Sequence, residues 1–194
     1  PEEKRTHLIK KLQEIEEEVY SFERIYEERF GRYEPGELSG YKSLDLAKLF
    51  NVILFFCIGG VFKTKLNKLL FYADFKHFKE YAVSITGTRY AHIPFGPAPD
   101  KYAYYFATLV EEDALNVEEV PFSDNATGEK FISKRNPDLL SFSETELKIL
   151  TDVKEYFKDF TSKRITDFSH EENGYKETPN GRLISYKYAN ELKF

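Results

Sequence analysis

A short segment near the C-terminus carries residue types that acid–base chemistry uses. Asp167, Ser169, His170 and Glu171 fall within five consecutive positions. Because an unperturbed histidine titrates near pH 6.5, a histidine beside carboxylates suits general acid–base catalysis at neutral pH. A Ser-His-Asp relay also needs a hydrogen-bonded chain in space, and no G-x-S-x-G nucleophile elbow accompanies these residues. The segment therefore favours a structural role, with a small histidine- or metal-dependent hydrolase or nuclease as the alternative function.

A second set of ligand-type residues is spread along the chain. Asp74 and His77 are three residues apart and would share one helical face, while His92 lies in a strand-like segment. With His170 and Glu171 they supply imidazole and carboxylate groups, which bind divalent metals. Their spacing matches no zinc motif such as H-E-x-x-H. We therefore expect satisfied polar residues at the edge of the core, with no metal and no other cofactor.

A partner-binding surface is the third candidate site. Lysines recur along residues 63–79 and give a predicted helix a basic side, which is either a solvated face or a docking surface. Aromatic residues and an arginine follow, and these types concentrate at the centres of protein interfaces. We expect most of the rings to be core and a few to contact a partner. The predicted partner-binding residues are Lys68, Tyr72, Lys76, Arg89, Tyr90, His92, Phe95, Pro97 and Tyr104.

The segment from Lys63 to Pro99 is predicted to organise the fold around these candidates. From Thr64 to Ala82 the apolar residues recur every three to four positions, which indicates a core helix with Thr64 as its N-cap. TRYAHIP then alternates like a short strand, and FGPAP breaks regular structure twice. The expected order is helix, loop, strand and rigid corner.

The flanking chain predicts further helices and a β-hairpin. Strand-like VEEVPF and GEKFIS enclose the turn SDNATG, and TRYAHIP would supply a third strand. Ser143 and Glu146 form a capping box that opens a helix from Glu144 to Phe160, whereas NGYKETPNG is predicted to be irregular. The other predicted helices are Leu44–Ile58, Asp100–Leu115, Ile165–His170 and Ser185–Leu192. The fold class is α+β: a mainly helical domain with a small antiparallel sheet of about three strands and an N-terminal amphipathic helix.

The N-terminal region is predicted to be a helical arm. From Glu3 to Phe30 the apolar residues alternate spacings of four and three, a heptad-like stripe that either packs on its own domain or pairs two subunits. The glycine-rich segment 31–43 reads as a loop or linker. We therefore place an arm and linker at residues 1–42 and a second domain at residues 43–194. Because the chain starts at Pro1 and contains no Met, we expect a fragment or a processed chain, with a further region upstream.

The composition limits the function classes. A net charge of −5 and a pI near 5.5 argue against broad capture of a nucleic-acid backbone. Cys57 is the only cysteine, which excludes an intrachain disulfide and a zinc-finger framework. The apolar run 49–58 is too short for a bilayer span, which needs about 20 residues. Since no signal-peptide pattern is present, we expect a cytoplasmic protein without membrane contact.

Three segments of the chain resemble one protein family. They are KTKLNKLLFYADF, ITGTRYAHIPFGPAP and ITDFSHEENGYKETPNGRLISY, in this order between Tyr41 and Leu192. Together they resemble the Panacea domain, the SocA-like antitoxin-associated family. The resemblance implies an antitoxin that neutralises a cognate protein toxin by direct contact, without turnover, in a family whose members are paired with many unrelated toxins. The third segment contains, as a family signature without an assigned role, Asp167, Ser169, His170 and Glu171.

The resemblance also implies partners outside this segment. Some proteins similar to this family carry a helix-turn-helix domain before the Panacea region and regulate transcription. DNA binding would then belong to a missing N-terminal domain, joined to this chain by the helical arm. Apart from the resemblance, the heptad-like stripe of the arm predicts homodimerisation through the same arm.

Overall fold

The computed structural model describes residues 4–15, 34–123 and 126–194. The chain divides into two units, Pro1–Tyr33 and Glu34–Phe194. In the first unit, residues 4–15 form helix α1, and the heptad residues Leu8, Leu12 and Ile15 have exposed side chains. The rest of the predicted arm lies outside the described residues.

The second unit is mainly helical. Its α-helices are α2 (Leu46–Cys57), α3 (Lys63–Tyr81), α4 (Tyr102–Glu111), α5 (Glu144–Tyr156), α6 (Ser162–His170) and α7 (Asn173–Glu177). Its strands are β1 (Val61–Phe62), β2 (Tyr90–Ile93), β3 (Gly96–Pro99), β4 (Leu115–Ser123) and β5 (Ala126–Ser133), and short 3-10 helices cover Leu139–Ser141 and Tyr186–Glu191. The predicted fold class, mainly helical α+β, is confirmed. Within the described ranges, no helix combines the length and hydropathy that crossing a membrane requires.

Helix α3 lies at the centre of this unit. It packs against α2, α5, α6 and β3, so that every position from Leu66 to Phe75 is buried. The ring centroids of Phe71 and Phe75 are 4.1 Å apart, and Phe75 stacks on Tyr186 at 4.2 Å. Each such buried ring stabilises the fold by roughly 1.5–3 kcal/mol. The predicted Thr64 cap is wrong, because α3 begins at Lys63 and makes no side-chain cap bond.

Asp74 ties the loop after α3 back to the helix. Its Oδ1 accepts hydrogen bonds from the N–H groups of Ile85 and Thr86, each at 2.8 Å. Its Oδ2 lies 2.6 Å from Thr86 Oγ1 and 2.8 Å from Tyr90 Oη. The carboxyl is buried, and burial raises its pKa even though these four bonds oppose the shift. These hydrogen bonds therefore fix the position of the loop where it leads into β2.

The described strands form two antiparallel sheets. β4 pairs with β5, as the hairpin pattern predicts, and β1 pairs with the other side of β5. β2 instead pairs with β3 in a separate two-stranded sheet. The prediction that TRYAHIP extends the hairpin sheet is therefore wrong, and FGPAP, predicted as a corner, contributes strand β3. NGYKETPNG, predicted as irregular, contains α7.

Pro97 and Pro99 fit in β3 because their missing N–H groups are not needed there. Pro97 faces His92 across the pair, and Pro99 faces Tyr90. The backbone groups of these two β2 residues point away from β3 and bond the segment 181–184. His92 N–H donates to Arg182 O at 2.9 Å, and Tyr90 O accepts from Ile184 N–H at 2.7 Å. At such alternate positions of an antiparallel pair, the two facing residues do not hydrogen-bond each other, so β2 needs no N–H group from Pro97 or Pro99.

Residues 34–42, predicted as part of the linker, are hydrogen-bonded within the second unit. Gly40 O accepts from Ser84 N–H at 3.0 Å, and Glu37 O accepts from Tyr186 N–H at 3.1 Å. The compact part of the chain therefore begins before residue 43.

Glu146 joins α5 to α2 and completes the predicted capping box. Its Oε2 accepts from Ser143 N–H at 2.9 Å, and Ser143 Oγ accepts from Glu146 N–H at 3.2 Å. Lys48 Nζ on α2 donates to both carboxylate oxygens at 2.9 Å. Burial by itself would raise the pKa of Glu146, but the bonds from Lys48 and Ser143 hold it below its usual value. The carboxylate therefore stabilises the fold in its charged form.

We expect Glu146→Gln to lower the free energy of unfolding by about 2 kcal/mol at pH 7, because Lys48 loses its counter-charge. Since the pKa is lower in the folded state, the contribution is complete above the unfolded value of 4.5 and is lost as pH falls through the folded value. Urea unfolding across this range measures it. Glu144→Gln, at an exposed position in the same first turn, is the control and should change stability by less than about 0.5 kcal/mol. A loss that persists undiminished into acid would contradict this assignment.

Candidate functional site

A cluster of polar side chains forms where α3, α6 and the β2–β3 hairpin meet. Gly96, the first residue of β3, has φ of +90°, a conformation that favours glycine. A Cβ at this position would lie 2.5 Å from Ser169 Oγ on α6 and 2.7 Å from Lys68 Cε on α3. Glycine therefore lets the hairpin backbone approach both helices. Two predicted site residues, Lys68 and Ser169, are brought together in this way.

Three rings stack beside this junction. Tyr175 on α7 lies between His92 and His170, with ring centroids 3.7 Å and 4.5 Å away. His92 Nδ1 lies 2.7 Å from Thr178 O, and because a carbonyl only accepts, Nδ1 carries the hydrogen. Tyr175 Oη donates to Ile93 O at 2.9 Å, at the start of the turn between β2 and β3. The stack thereby fastens this turn to the C-terminal part of the chain.

Lys68 is buried without a counter-charge. Only 1% of the residue is exposed, and burial lowers its pKa to about 7. In the part of the chain that the structure describes, no acceptor or carboxylate bonds its Nζ atom. Lysine is almost never fully buried unless it is paired. The predicted basic face of α3 thus contains one amine that lies in the core.

Three polar side-chain atoms on α6 are also buried without a partner. Ser162 Oγ, Thr166 Oγ1 and His170 Nε2 have no hydrogen bond to any described residue. Since each is four residues from the next, their side chains share one helical face. Burial lowers the pKa of His170, and the charge of Lys68 lowers it further, although Asp167 and Glu171 oppose the shift. His170 is therefore predominantly neutral at pH 7.

The carboxylates of the signature segment do not join His170 in a relay. Asp167 is exposed and accepts a bond from Lys163 at 2.7 Å, and Glu171 is exposed and accepts one from Lys176 at 2.6 Å. Ser169 Oγ donates to the backbone carbonyl of Thr166 at 2.8 Å. A hydrogen-bonded serine–histidine–carboxylate chain is therefore not formed among these residues.

The residues considered as metal ligands are held by other contacts. Asp74 bonds the loop after α3, and His77 Nδ1 lies 2.6 Å from Val83 O. His92 and His170 lie on either side of Tyr175. Across the described ranges, no three His, Cys, Asp or Glu side chains converge in a metal-binding arrangement.

Four of the predicted partner-binding residues have buried side chains. Tyr72 and Tyr90 are fully enclosed, and Lys68 and Pro97 are buried as well. Tyr72 Oη donates to Glu172 Oε1 at 3.1 Å, inside the unit. In this fold these side chains hold the core together and present no surface for docking.

Lys76 is partly engaged within its own unit. Its Nζ pairs with Glu80 at 3.2 Å and lies 4.5 Å from the centroid of the Phe194 ring. Its aliphatic stem and charge therefore cover an aromatic ring, as amphipathic side chains commonly do.

The exposed aromatic residues Phe95 and Tyr104 lie at opposite ends of the β2–β3 hairpin. Phe95 is 70% exposed in the turn, whereas Tyr104, on α4, is 57% exposed beyond the other end. A four-residue strand is about 13 Å long, so the turn that carries Phe95 and the start of α4 lie at its two ends. Arg89 is half-buried at the Tyr104 end, where its carbonyl accepts from Asp100 N–H at 3.0 Å. His92 is half-buried and closer to the Phe95 end.

Sequence reasoning misses three residues of this junction: Gly96, Thr166 and Tyr175. Gly96 has a signal in FGPAP, since a glycine between a predicted strand and prolines often marks a close backbone approach. Tyr175 and Thr166 have none, because their roles depend on the packing of α6 and α7 against the hairpin.

One protein-family model matches this chain. The model of the antitoxin SocA-like Panacea domain matches residues 66–176. This range includes most of α3, the β2–β3 hairpin, α6 and most of α7, and it covers more than half of the chain. Comparisons with curated proteins and with solved structures give no match. The chain therefore belongs to the family of SocA-like antitoxin Panacea domains.

Proposed function

We propose that this chain is a binding module of antitoxin type that neutralises a cognate protein toxin by direct contact, without turnover. Membership of an antitoxin family supports this function. Inhibition would follow mass action: a dissociation constant of 1 nM corresponds to about −12 kcal/mol and removes the toxin from its target.

The observation that carries the proposal is the exposed ring of Phe95 on a fixed turn. Pro94 and Phe95 are both exposed, while the flanking Ile93 and Gly96 pair with each other. The Tyr175 hydroxyl also donates a hydrogen bond to the Ile93 carbonyl. An aromatic side chain on an immobile backbone loses little conformational entropy when a partner covers it. We therefore place the centre of the toxin interface at this turn.

The rival enzymatic function lacks a comparable arrangement. Its proposed residues, Asp167, His170 and Glu171, are engaged separately, as described above. Homodimerisation through the N-terminal arm and DNA binding through an upstream helix-turn-helix domain stay predictions.

We expect Phe95→Ala to weaken toxin binding about 30-fold, because truncating a central aromatic residue of an interface typically costs about 2 kcal/mol. The measurement is calorimetric titration of the purified chain with the protein encoded beside it, together with a growth-rescue assay. Leu140→Ala is the control, since Leu140 is also an exposed apolar residue but lies in a different part of the unit. It should leave both readouts unchanged.

Tyr104→Ala tests the competing location. If Tyr104→Ala abolishes binding while Phe95→Ala has no effect, the interface lies at the α4 end and the proposed surface is wrong. If the folded wild-type chain neither binds the neighbouring protein nor rescues growth, the proposed function is wrong.

A further inference from the structure

Strand β4 leaves one long edge of the hairpin sheet open. The strand order is β1–β5–β4, so β5 takes up one edge of β4 and no described strand pairs with the other. β4 is also long, with nine residues from Leu115 to Ser123. In the second sheet, by contrast, the outer edge of β2 is bonded by the segment 181–184, and every residue of β3 is buried. Among the described strands, β4 therefore offers the extended edge to which a further strand can be added.

The register of the hairpin shows which backbone groups of β4 point to the open edge. Lys134 N–H donates to Ala114 O at 2.9 Å, and hydrogen-bonded and non-bonded pairs alternate along antiparallel strands. The β4 residues that bond β5 are therefore Asn116, Glu118 and Val120. The residues whose backbone groups point to the open edge are Leu115, Val117, Glu119 and Pro121. No described residue bonds the outward N–H and C=O groups of Val117 or Glu119.

Pro121 supports this assignment and marks the end of the open edge. It is exposed and faces Thr127 across the strand pair. Proline is accepted in a strand where its missing N–H would face away from the sheet. The regular register then ends between Pro121 and Ser123. The open edge that can pair with a further strand therefore centres on Val117 and Glu119.

The same edge carries negative charge. Glu118 and Glu119 are exposed, and neither forms an ion pair with a residue of the described ranges. Glu119 faces Glu129 across the strand pair, and like charges directly opposite each other are destabilising. Lys63 pairs with Glu129 at 2.6 Å, which leaves Glu119 without a counter-charge of its own. A lysine or arginine on a further strand would supply that charge.

We propose that β4 binds a basic, extended segment of a partner protein as an added strand of the sheet, an inference that goes beyond the proposed function and its interface at the Phe95 turn. Backbone hydrogen bonds to Val117 and Glu119 supply affinity, and the side chains supply specificity. In antiparallel pairing, a cation faces Glu119 and an apolar side chain faces Val117 on one face of the sheet. The residue between them lies on the other face, opposite Glu118, and is a second cation. The segment is thus two basic residues followed by an apolar one.

A second copy of the chain fits this edge less well. Two β4 strands paired with each other would bring Glu118 and Glu119 of both copies to one edge, and β4 itself contains no lysine or arginine. Repulsion among four carboxylates disfavours this pairing, whereas a basic segment meets complementary charge.

Amide hydrogen exchange, measured by NMR on the full chain, tests the added strand. The probe is a blocked peptide, Thr-Lys-Lys-Val-Thr-Val, whose second to fourth residues would face Glu119, Glu118 and Val117. In the free chain the N–H groups of Val117 and Glu119 should exchange rapidly and those of Glu118 and Val120 slowly, because only the second pair bonds β5. Peptide at about ten times its dissociation constant should slow exchange at Val117 and Glu119 about tenfold, since only the unbound fraction exchanges.

Two substitutions at one position separate the backbone from the charge. Glu119→Pro removes an outward N–H, as Pro121 does naturally, and keeps the bonds to β5. It should weaken peptide binding at least about tenfold. Glu119→Gln keeps the N–H group and should weaken binding about threefold at low ionic strength, with a smaller effect in about 0.5 M salt. Glu144→Gln, at an exposed position on α5, is the control and should bind like the wild type.

The outcomes decide the inference separately from the proposed function. Exchange that slows at Val117 and Glu119, in a manner that Glu119→Pro abolishes, supports the added strand. Peptide that protects neither amide, or binds Glu119→Pro and Glu119→Gln as tightly as the wild type, overturns it. Protection of both amides in the free chain that disappears on dilution shows a second copy at the edge and also overturns it. The toxin titrations with Phe95→Ala do not depend on any of these results.

Discussion

Replacing Lys68 with methionine is expected to stabilise the chain. The pKa of Lys68 falls from 10.5 in the unfolded chain to about 7 in the folded unit. A pKa difference of one corresponds to about 1.4 kcal/mol, so the burial of the charged amine costs on the order of 4 kcal/mol at pH 7. Methionine has a similar length and no charge, so it can fill the same space beside Gly96 without this cost.

The pH dependence identifies the cause. Because the folded pKa is depressed, the cost is complete below pH 7, declines as pH rises and vanishes above the unfolded value of 10.5. Urea unfolding should therefore show a stability advantage of Lys68→Met that shrinks to about 1.4 kcal/mol by pH 9.5. The matched control Lys163→Met, at an exposed position, should stay within about 0.5 kcal/mol of the wild type. A Lys68→Met chain that is less stable than the wild type would contradict the absence of a counter-charge.

Asp74→Ala is expected to cause the largest loss of stability among the substitutions considered. It removes the acceptor for the N–H groups of Ile85 and Thr86 and one of the two hydrogen-bond partners of the Tyr90 hydroxyl, which keeps Leu70 O. Each buried polar group left without a partner costs roughly 1–3 kcal/mol. We therefore expect a loss of at least about 4 kcal/mol by urea unfolding, with loosening of the loop that leads into β2.

Asp74→Asn is the matched variant and should lie within about 1 kcal/mol of the wild type. Tyr90 Oη lies 2.9 Å from Leu70 O and 2.8 Å from Asp74 Oδ2, but one phenolic hydrogen serves only one acceptor. A protonated Asp74 resolves this conflict by donating to Tyr90 Oη, and an asparagine N–H₂ group does the same. The amide oxygen still accepts from Ile85 and Thr86.

The sign of the pH effect separates the two forms of Asp74. Burial raises the pKa of Asp74. At pH values between the unfolded value of 3.8 and the folded pKa, the folded state therefore binds a proton that the unfolded state does not. Wild-type stability should therefore rise relative to Asp74→Asn as pH falls through the folded pKa towards the unfolded value of 3.8. A difference that does not change over this range would contradict a protonated Asp74.

Local sequence signals predict those parts of the fold that depend on neighbouring residues. The Ser143–Glu146 capping box and the pairing of β4 with β5 need only residues that are close in sequence, and both are confirmed. The pairing of β2 with β3 is not local in this sense. It depends on the segment 181–184, which takes up the β2 backbone groups opposite Pro97 and Pro99. No pattern within FGPAP reveals that segment.

The candidate site is only partly predictable for a similar reason. Lys68 and His170 are recognisable as chemical groups, but their burial depends on how many elements surround α3 and α6. Spacing along α3 places Lys68 on a basic face and cannot show that β3 covers it. Phe95, by contrast, lies between a short strand and a glycine, and its exposure follows from that turn.

The tip and the base of the β2–β3 turn differ in how far they tolerate substitution. At the base, Gly96 admits no other side chain without displacing Ser169 or Lys68. At the tip, Pro94 and Phe95 are exposed and bear little on the packing beneath them. Mutations can therefore accumulate at the tip while the base keeps its geometry. Under the proposed function, substitutions at Pro94 and Phe95 would change the surface offered to a toxin while the packing beneath the turn stays the same.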